Sequence, residues 1–98
     1  MATDTTPIVS VVMGSDSDYS IMEEALILLK QFDITCEAVL TSAHRSPERT
    51  SRFCAEAAER GVRVIIAGAG AAAHLAGVIA SLTTLPVIGV PIDSSPLK

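Results

Sequence analysis

The fold is decided near the N-terminus by the stretch Ile8-Val9-Ser10-Val11-Val12-Met13-Gly14. A run of β-branched residues that ends at a glycine predicts a strand buried on both faces, as in parallel sheets. The apolar residues that follow recur at helical spacing, namely Met22, Ala25, Leu26 and Leu29. They predict a helix over residues 19–32, which Ser17 or Asp18 could cap at its start.

Strands and helices continue to alternate along the rest of the chain. The sequence Ser46-Pro47-Glu48 is typical of a helix start with Ser46 as the cap, and the helix should stop at Gly61. The other predicted elements are strands over residues 35–40, 63–67 and 87–90, and a third helix over residues 72–81 after a glycine turn. The order βαβαβαβ requires right-handed crossovers between parallel strands, so we expect a three-layer α/β fold with helices on both faces of the sheet.

Length and composition indicate one small globular domain over residues 1–98. The chain has 98 residues, of which 49% are hydrophobic and 3% aromatic, and it contains no internal repeat or linker. A core of Ala, Val, Ile and Leu in so short a chain provides little stability of its own. Only residues 91–98 follow the fourth strand, without the helix and strand that usually close such a sheet, so we expect the domain to be incomplete at its C-terminus.

Charge and cysteine usage exclude several classes of protein. The net charge is −4 and the basic residues form no run, so binding to nucleic acid is not expected. The N-terminus lacks the positive and apolar segments of a secretion signal, which favours the cytoplasm. Cys36 and Cys54 match no metal-ligand spacing, and we expect them to stay reduced and to bind no metal.

An uncharged stretch over residues 64–82 is long enough to span a membrane. It starts with a β-branched run, changes to small residues, and is interrupted by Gly68, Gly70, His74 and Gly77. A buried strand, a glycine turn and a buried helix produce the same hydropathy. We therefore favour that interpretation and expect no interaction with a membrane.

Three unusual loops follow the predicted strands, and in parallel sheets such loops gather at one edge, where ligands bind. The first loop, Gly14-Ser15-Asp16-Ser17-Asp18, opens a helix whose free N–H groups favour anions. Its polar residues could simply cap that helix. In a binding loop the two carboxylates would repel a phosphate, so at least one of them should accept hydrogen bonds from sugar hydroxyls.

The second loop contains His44 next to Arg45. A lone histidine in such a loop is commonly a turn or surface residue. An imidazole that titrates near neutral pH, beside a guanidinium that can hold a phosphate, also supplies two parts of an acid–base site. His74 lies in an apolar stretch and is interpreted as a hydrogen-bonded packing residue rather than a catalyst. Two histidines so far apart do not predict a metal site.

The third loop, Gly68-Ala69-Gly70-Ala71-Ala72-Ala73, fits the G-x-G-x-x-A pattern of dinucleotide-binding loops. It follows the third strand rather than the first, and the only acid near the expected later position is Asp93, so the pattern is weak evidence for a nicotinamide cofactor. Glycines that turn the chain and allow close packing would explain it as well. A phosphate or carboxylate bound at the start of the third helix is the remaining alternative.

Four motifs occur in order along the chain: Val12-Met13-Gly14-Ser15-Asp16-Ser17-Asp18, Ser42-Ala43-His44-Arg45-Ser46-Pro47, Ile65-Ile66-Ala67-Gly68-Ala69-Gly70 and Leu85-Pro86-Val87-Ile88-Gly89-Val90-Pro91. In order and spacing they resemble the N5-carboxyaminoimidazole ribonucleotide mutase family of purine biosynthesis. The second motif and Ala73-His74-Leu75 are similar to the class I enzymes, not to the class II type that uses aminoimidazole ribonucleotide and free CO2. Ala71 and Ala76 depart from the family pattern, which has glycine and proline there.

The resemblance implies a flavodoxin-like sheet in a homo-octamer, with active sites between subunits, and an isomerase that needs no cofactor. It implies that Ser15 and Asp18 contact the ribose 5-phosphate part of a ribonucleotide substrate, and that Arg45, helped by Ser42, holds the phosphate. His44 would be the general acid and base. The remaining residues expected at the substrate are Gly68, Ala69, Gly70 and His74. The alternatives are a direct carboxylase, or a nucleotide-binding module without turnover.

Overall fold

The computed structural model describes residues 6–43, 45–70 and 74–92. The strands are β1 (Val9–Met13), β2 (Cys36–Leu40), β3 (Val64–Gly70) and β4 (Val87–Ile92). The α-helices are α1 (Tyr19–Gln31), α2 (Pro47–Ala57) and α3 (His74–Leu82), and a single 3₁₀ turn over Asp16–Asp18 precedes α1. The predicted alternation of strands and helices is therefore confirmed for the described part of the chain.

All strand pairs are parallel and form one sheet in the order β2-β1-β3-β4. In register, Val9 of β1 lies beside Cys36 of β2 on one side and Val64 of β3 on the other. This order, with β1 between β2 and β3, is the one found at the start of flavodoxin-like folds. The expected α/β flavodoxin-like fold is confirmed.

The sheet separates two apolar clusters, because successive side chains of a strand point to opposite faces. Val11 and Met13 pack with Met22 of α1 on one face. On the other face, Val12 packs with Cys54 of α2 and with residues of α3. All five residues of β1 are buried, as its β-branched run predicts. The burial of Cys54 raises the pKa of its thiol.

The boundaries of several elements differ from the predictions. β3 continues through Gly68 to Gly70, which pairs with Ile92 of β4, so the predicted glycine turn does not begin at Gly68. Pairing with β4 supplies backbone hydrogen bonds that outweigh the weak strand preference of glycine. α2 ends at Ala57, and the turn after it closes at Gly61, whose φ of 100° suits glycine.

The helix caps also differ from the predictions. The side chain of Ser15 accepts a hydrogen bond from the Ser17 backbone N–H at 3.2 Å and so caps the 3₁₀ turn. Asp18 stands at the N-cap position of α1, as predicted, but its side chain makes no capping hydrogen bond. Ser46 does stand at the cap of α2, where its carbonyl rather than its side chain accepts from Thr50.

The uncharged stretch over residues 64–82 contains the strand β3 and the helix α3. Among the described residues, no helix is long and apolar enough to cross a membrane. The strand and helix interpretation of this stretch is therefore confirmed.

A polar network fixes α2 at the amino edge of the sheet. Ser10, fully buried in β1, donates a hydrogen bond from its hydroxyl to Glu37 of β2. Arg60, just after α2, binds both carboxylate oxygens of Glu37, at 3.1 and 2.7 Å, and its guanidinium lies 5.9 Å from the centre of the Phe53 ring. The bonds from Arg60 hold the pKa of Glu37 below its usual value against the effect of desolvation, and Ser10 lowers it further.

We expect this network to make stability depend on pH. Because the pKa of Glu37 is depressed in the folded state, its contribution is fully present above the pKa of an unfolded glutamate and disappears as pH falls through the folded value. Glu37→Gln should lower the free energy of unfolding at pH 7 by about 1 kcal/mol and flatten its decline below about pH 4.5. Urea unfolding of both proteins at pH 7 and at lower pH measures this.

The matched control is Glu23→Gln, which removes an exposed carboxylate of α1 that forms no ion pair with the described residues. It should leave both the stability at pH 7 and the slope below pH 4.5 close to those of the unchanged protein. Equal slopes for the Glu37 and Glu23 variants would contradict the assignment.

Candidate active site

The three predicted loops meet at the carboxyl edge of the sheet. Met13, the last residue of β1, pairs with Leu40 at the end of β2 and with Gly68 near the end of β3. A Cβ at Gly14 would lie 3.9 Å from the Cβ of Ala69 and 4.0 Å from the carbonyl oxygen of Thr41. The loop after β1 therefore lies directly between the ends of its two neighbouring strands.

A cavity of about 270 Å³ opens between the first two loops. Its walls contain three residues that the sequence predicted as substrate ligands, Ser15, Ser42 and Arg45. The other lining residues are Gly14, Asp16, Leu40, Thr41, Ser46 and Arg49. The cavity brings together hydroxyl groups, the backbone at the start of two helical segments and two guanidinium groups. This combination suits an anionic, hydroxylated ligand.

The first loop turns its two acidic residues in different directions. Asp16 is exposed and lines the cavity with Arg45. Asp18 is only 6% exposed and is not part of that cavity wall. No described residue donates a hydrogen bond to the Asp18 carboxylate, whereas the hydroxyl of Ser15 lies 2.9 Å from that of Ser17. Asp18 thus keeps acceptor capacity at the edge of the site.

Two buried threonines hold the second loop in place. The hydroxyls of Thr41 and Thr50 lie 2.8 Å apart, and the hydroxyl of Thr50 lies 3.1 Å from the Ser46 carbonyl oxygen, to which it can donate. Ser42 accepts a hydrogen bond from the Arg45 backbone N–H at 3.1 Å. Its hydroxyl proton can still be donated to a ligand. These bonds fix the ends of the loop that carries Arg45.

The third group of predicted residues lies beside the cavity rather than in its wall. Gly68 is buried, and a Cβ there would lie only 2.7 Å from the Cε of Met22, so only glycine fits without movement of that side chain. Ala69 and Gly70 are half-buried at the end of β3. Ala69 lines a second, apolar cavity of about 240 Å³ together with Ala76, Gly89, Val90 and Pro91.

The predictions for the two histidines have different outcomes. His74 is the first residue of α3 and is exposed, whereas Leu75 after it is buried, so the interpretation of His74 as a packing residue is wrong. Leu75, the apolar residue that follows His74, lies on the inner face of the helix that begins with His74. His44 lies outside the described residues, as do Ala71, Ala72, Ala73 and Asp93.

Some residues that line or support the cavity were not singled out by the sequence, among them Arg49, Thr41 and Thr50. The one signal for Arg49 was helical periodicity, which places it on the outward face of α2. Arg45 precedes that helix, so the sequence did not place the two side chains together. The two threonines carry no such signal, because only the approach of β2 to α2 brings their hydroxyls together.

The described residues contain no group of three or more His, Cys, Asp or Glu side chains that could hold a metal ion. Within the same residues, the single ion pair is the one between Arg60 and Glu37. Neither the Arg45 guanidinium nor the Arg49 guanidinium therefore forms an ion pair with a described carboxylate. The chemistry available in the cavity is anion binding by arginine and hydrogen bonding by hydroxyl groups.

The comparisons with known proteins agree on one family. The AIR carboxylase family matches residues 8–98. An N5-carboxyaminoimidazole ribonucleotide mutase of Pyrococcus horikoshii is 57% identical over 94% of this chain and 52% of its own length. The mutase of Saccharolobus solfataricus is 58% identical over 94% of this chain and 58% of its own length. A phosphoribosylaminoimidazole carboxylase of Candida glabrata is 52% identical over 93% of this chain but only 16% of its own length.

The chain thus spans about half the length of the mutases that it matches and about one sixth of the carboxylase. The family match covers all the described residues of the site. From the sheet order, the cavity at its carboxyl edge and this match, we conclude that the chain belongs to the AIR carboxylase family.

Proposed function

We propose that the protein is an N5-carboxyaminoimidazole ribonucleotide mutase, which converts that nucleotide to 4-carboxyaminoimidazole ribonucleotide in purine biosynthesis. The observation that carries the proposal is the cavity shared by Ser15, Ser42 and Arg45. It offers a cation and hydroxyl groups to a ribonucleotide, directly beside the loop of His44. Relatives with that activity in their names are more than half identical to this chain.

The two ends of the nucleotide are recognised by different groups. Arg45 and Ser42 bind the 5-phosphate, because a guanidinium can donate two parallel hydrogen bonds to phosphate oxygens. Asp18 and Ser15 accept and donate hydrogen bonds at the ribose. Asp18 is only 6% exposed, and its carboxylate has no hydrogen-bond donor among the described residues, which supports this assignment. Gly68, Ala69, Gly70 and His74 complete the site around the imidazole ring.

His44 acts as the general acid and base. The carboxylate on the exocyclic nitrogen leaves as CO2, and the nitrogen takes up a proton. The retained CO2 is then added to the ring carbon, which loses its proton. An electron-rich aminoimidazole needs no electron-sink cofactor for these steps, only a positioned proton carrier and a water-excluding space for CO2. The small apolar residues around Ala69 and Gly89 support such a space.

We also infer that the protein assembles as a homo-octamer in the cytoplasm. Five apolar side chains in α1 and just after it are exposed. They support an assembly, because monomeric proteins rarely expose so many together. They are Tyr19, Ile21, Ile27, Leu28 and Phe32, the last of which is 68% exposed. Sedimentation at several protein concentrations tests this inference, and a monomer at all of them would contradict it.

The activity is tested by supplying N5-carboxyaminoimidazole ribonucleotide without added bicarbonate. Formation of 4-carboxyaminoimidazole ribonucleotide under these conditions is the expected result. The second candidate is a direct carboxylase, favoured by the 52% identity to the Candida glabrata enzyme. It predicts product only from aminoimidazole ribonucleotide with CO2. Tight binding of the nucleotide without turnover would instead indicate a binding module.

The proposed division of the nucleotide makes a separate prediction for Arg45 and Asp18. Arg45→Ala should weaken binding of aminoimidazole ribonucleotide by about tenfold or more, since charge-assisted hydrogen bonds are lost, and should leave binding of the riboside almost unchanged. Asp18→Ala should weaken both ligands. Titration calorimetry measures the four affinities, and an equal loss for both ligands in the Arg45 variant would show that Arg45 does not bind the phosphate.

A further inference from the structure

Arg49 is the third residue of α2 and lies in the wall of the same cavity as Arg45. A larger, more open cavity of about 600 Å³ adjoins this one and shares Arg45, Ser46 and Arg49 with it. Arg52, the next arginine of α2, lines only the larger cavity. Arg49 therefore stands where the candidate site opens to solvent, and Arg52 stands outside it.

The charges of the cavity wall show why a second arginine matters. Arg45 carries one positive charge, and Asp16 in the same wall carries one negative charge. The two formal charges sum to zero, so without Arg49 the wall would carry no net positive charge toward a dianionic phosphate. Arg49 makes the wall positive in a chain whose net charge is −4. A positive, partly enclosed site concentrates the electrostatic attraction for an anionic ligand.

Arg49 is also available for a ligand, as a comparison with Arg60 shows. Arg60 binds Glu37 through two hydrogen bonds and lies over an aromatic ring, so its guanidinium is used within the fold. Arg49 forms no ion pair and no hydrogen bond through its side chain with any residue in the described ranges. Its exposed side chain can therefore turn toward a phosphate without breaking a contact of the folded chain.

We propose that Arg49 is a second guanidinium for the 5-phosphate of the ribonucleotide, acting with Arg45 as a two-arginine clamp. This inference rests on the proposed function, because it names a further binding residue of that same site. The phosphate lies between the two side chains, with the hydroxyl group of Ser42 completing its contacts.

The test compares Arg49→Ala with Arg52→Ala, a matched loss of one exposed α2 arginine. Arg49→Ala should weaken aminoimidazole ribonucleotide by about 10- to 100-fold and should leave the riboside almost unchanged. Arg52→Ala should weaken the nucleotide only a few-fold, through long-range attraction that salt screens. Arg49→Lys, which keeps the charge but loses the fork, should fall between Arg49→Ala and the unchanged protein.

The outcomes separate this inference from the proposed function. If Arg45→Ala loses affinity for the nucleotide while the Arg49 and Arg52 variants behave alike, the role of Arg49 is overturned and the proposed function stands. If the unchanged protein binds neither the nucleotide nor the riboside, the proposed function is overturned, and the assignment of Arg49 with it. Circular dichroism of each variant establishes that it is folded before its affinity is compared.

Discussion

Replacement of His44 by asparagine should lower turnover of N5-carboxyaminoimidazole ribonucleotide by about 100-fold or more, which is the range for a general acid–base residue. Asparagine retains a hydrogen-bonding side chain of similar size but cannot carry a proton between nitrogen and carbon near neutral pH. Ligand affinity should change far less, because Arg45, Ser42 and Asp18 bind the phosphate and ribose in our proposal.

Two measurements separate proton transfer from binding. Turnover is followed as formation of 4-carboxyaminoimidazole ribonucleotide, and affinity by calorimetric titration with aminoimidazole ribonucleotide. Turnover in the His44 variant should also lose the pH dependence near neutrality that a titrating imidazole imparts. Turnover within a few-fold of the unchanged protein would remove His44 from the mechanism.

The contact between Met22 and Gly68 should give the largest effect on stability. Met22 is 2% exposed and fills the space that a side chain at position 68 would need. Met22→Ala should destabilise the fold by about 2–5 kcal/mol through the cavity it leaves, and Gly68→Ala by about 1–3 kcal/mol through overpacking. The double variant should be more stable than the sum of the two losses predicts, because removing Met22 makes room for the new methyl group.

Denaturant unfolding of the four proteins completes this double-mutant cycle. Gly77→Ala is the control, since a Cβ at this exposed position of α3 would meet nothing within 4 Å. It should stabilise the fold by about 0.5–1 kcal/mol, as alanine does in place of glycine within a helix. Strictly additive losses at Met22 and Gly68 would show that the two residues do not compete for the same space.

The order of elements could be predicted because local patterns agree with the final packing. The β-branched run of β1 is buried along its whole length, and Pro47 begins α2 as its position suggests. The end of β3 could not be predicted in this way. Gly68 and Gly70 disfavour a strand by themselves, and pairing with neighbouring strands keeps them extended. Gly68 pairs with Met13 of β1 and Val90 of β4, and Gly70 pairs with Ile92 of β4.

For the site as well, some features could be predicted from local sequence and others depend on tertiary packing. Ser15, Ser42 and Arg45 could be predicted to meet because parallel strands bring the loops after them to one edge. The 3₁₀ turn, which the sequence did not predict, exposes Asp16 and buries Asp18. Helical periodicity predicts only that Arg49 faces away from the core. It does not predict that the loop after β1 forms a cavity together with Arg49.

The central position of β1 also determines the order in which the sheet can be completed during synthesis. Val9 pairs with Cys36 on one side but with the much later Val64 on the other. Pairing across such a separation is slow, because a long loop must close first. Until residues 64–70 leave the ribosome, one edge of an apolar strand retains unpaired N–H and C=O groups. During this interval the nascent chain therefore exposes a strand edge that can pair with other chains.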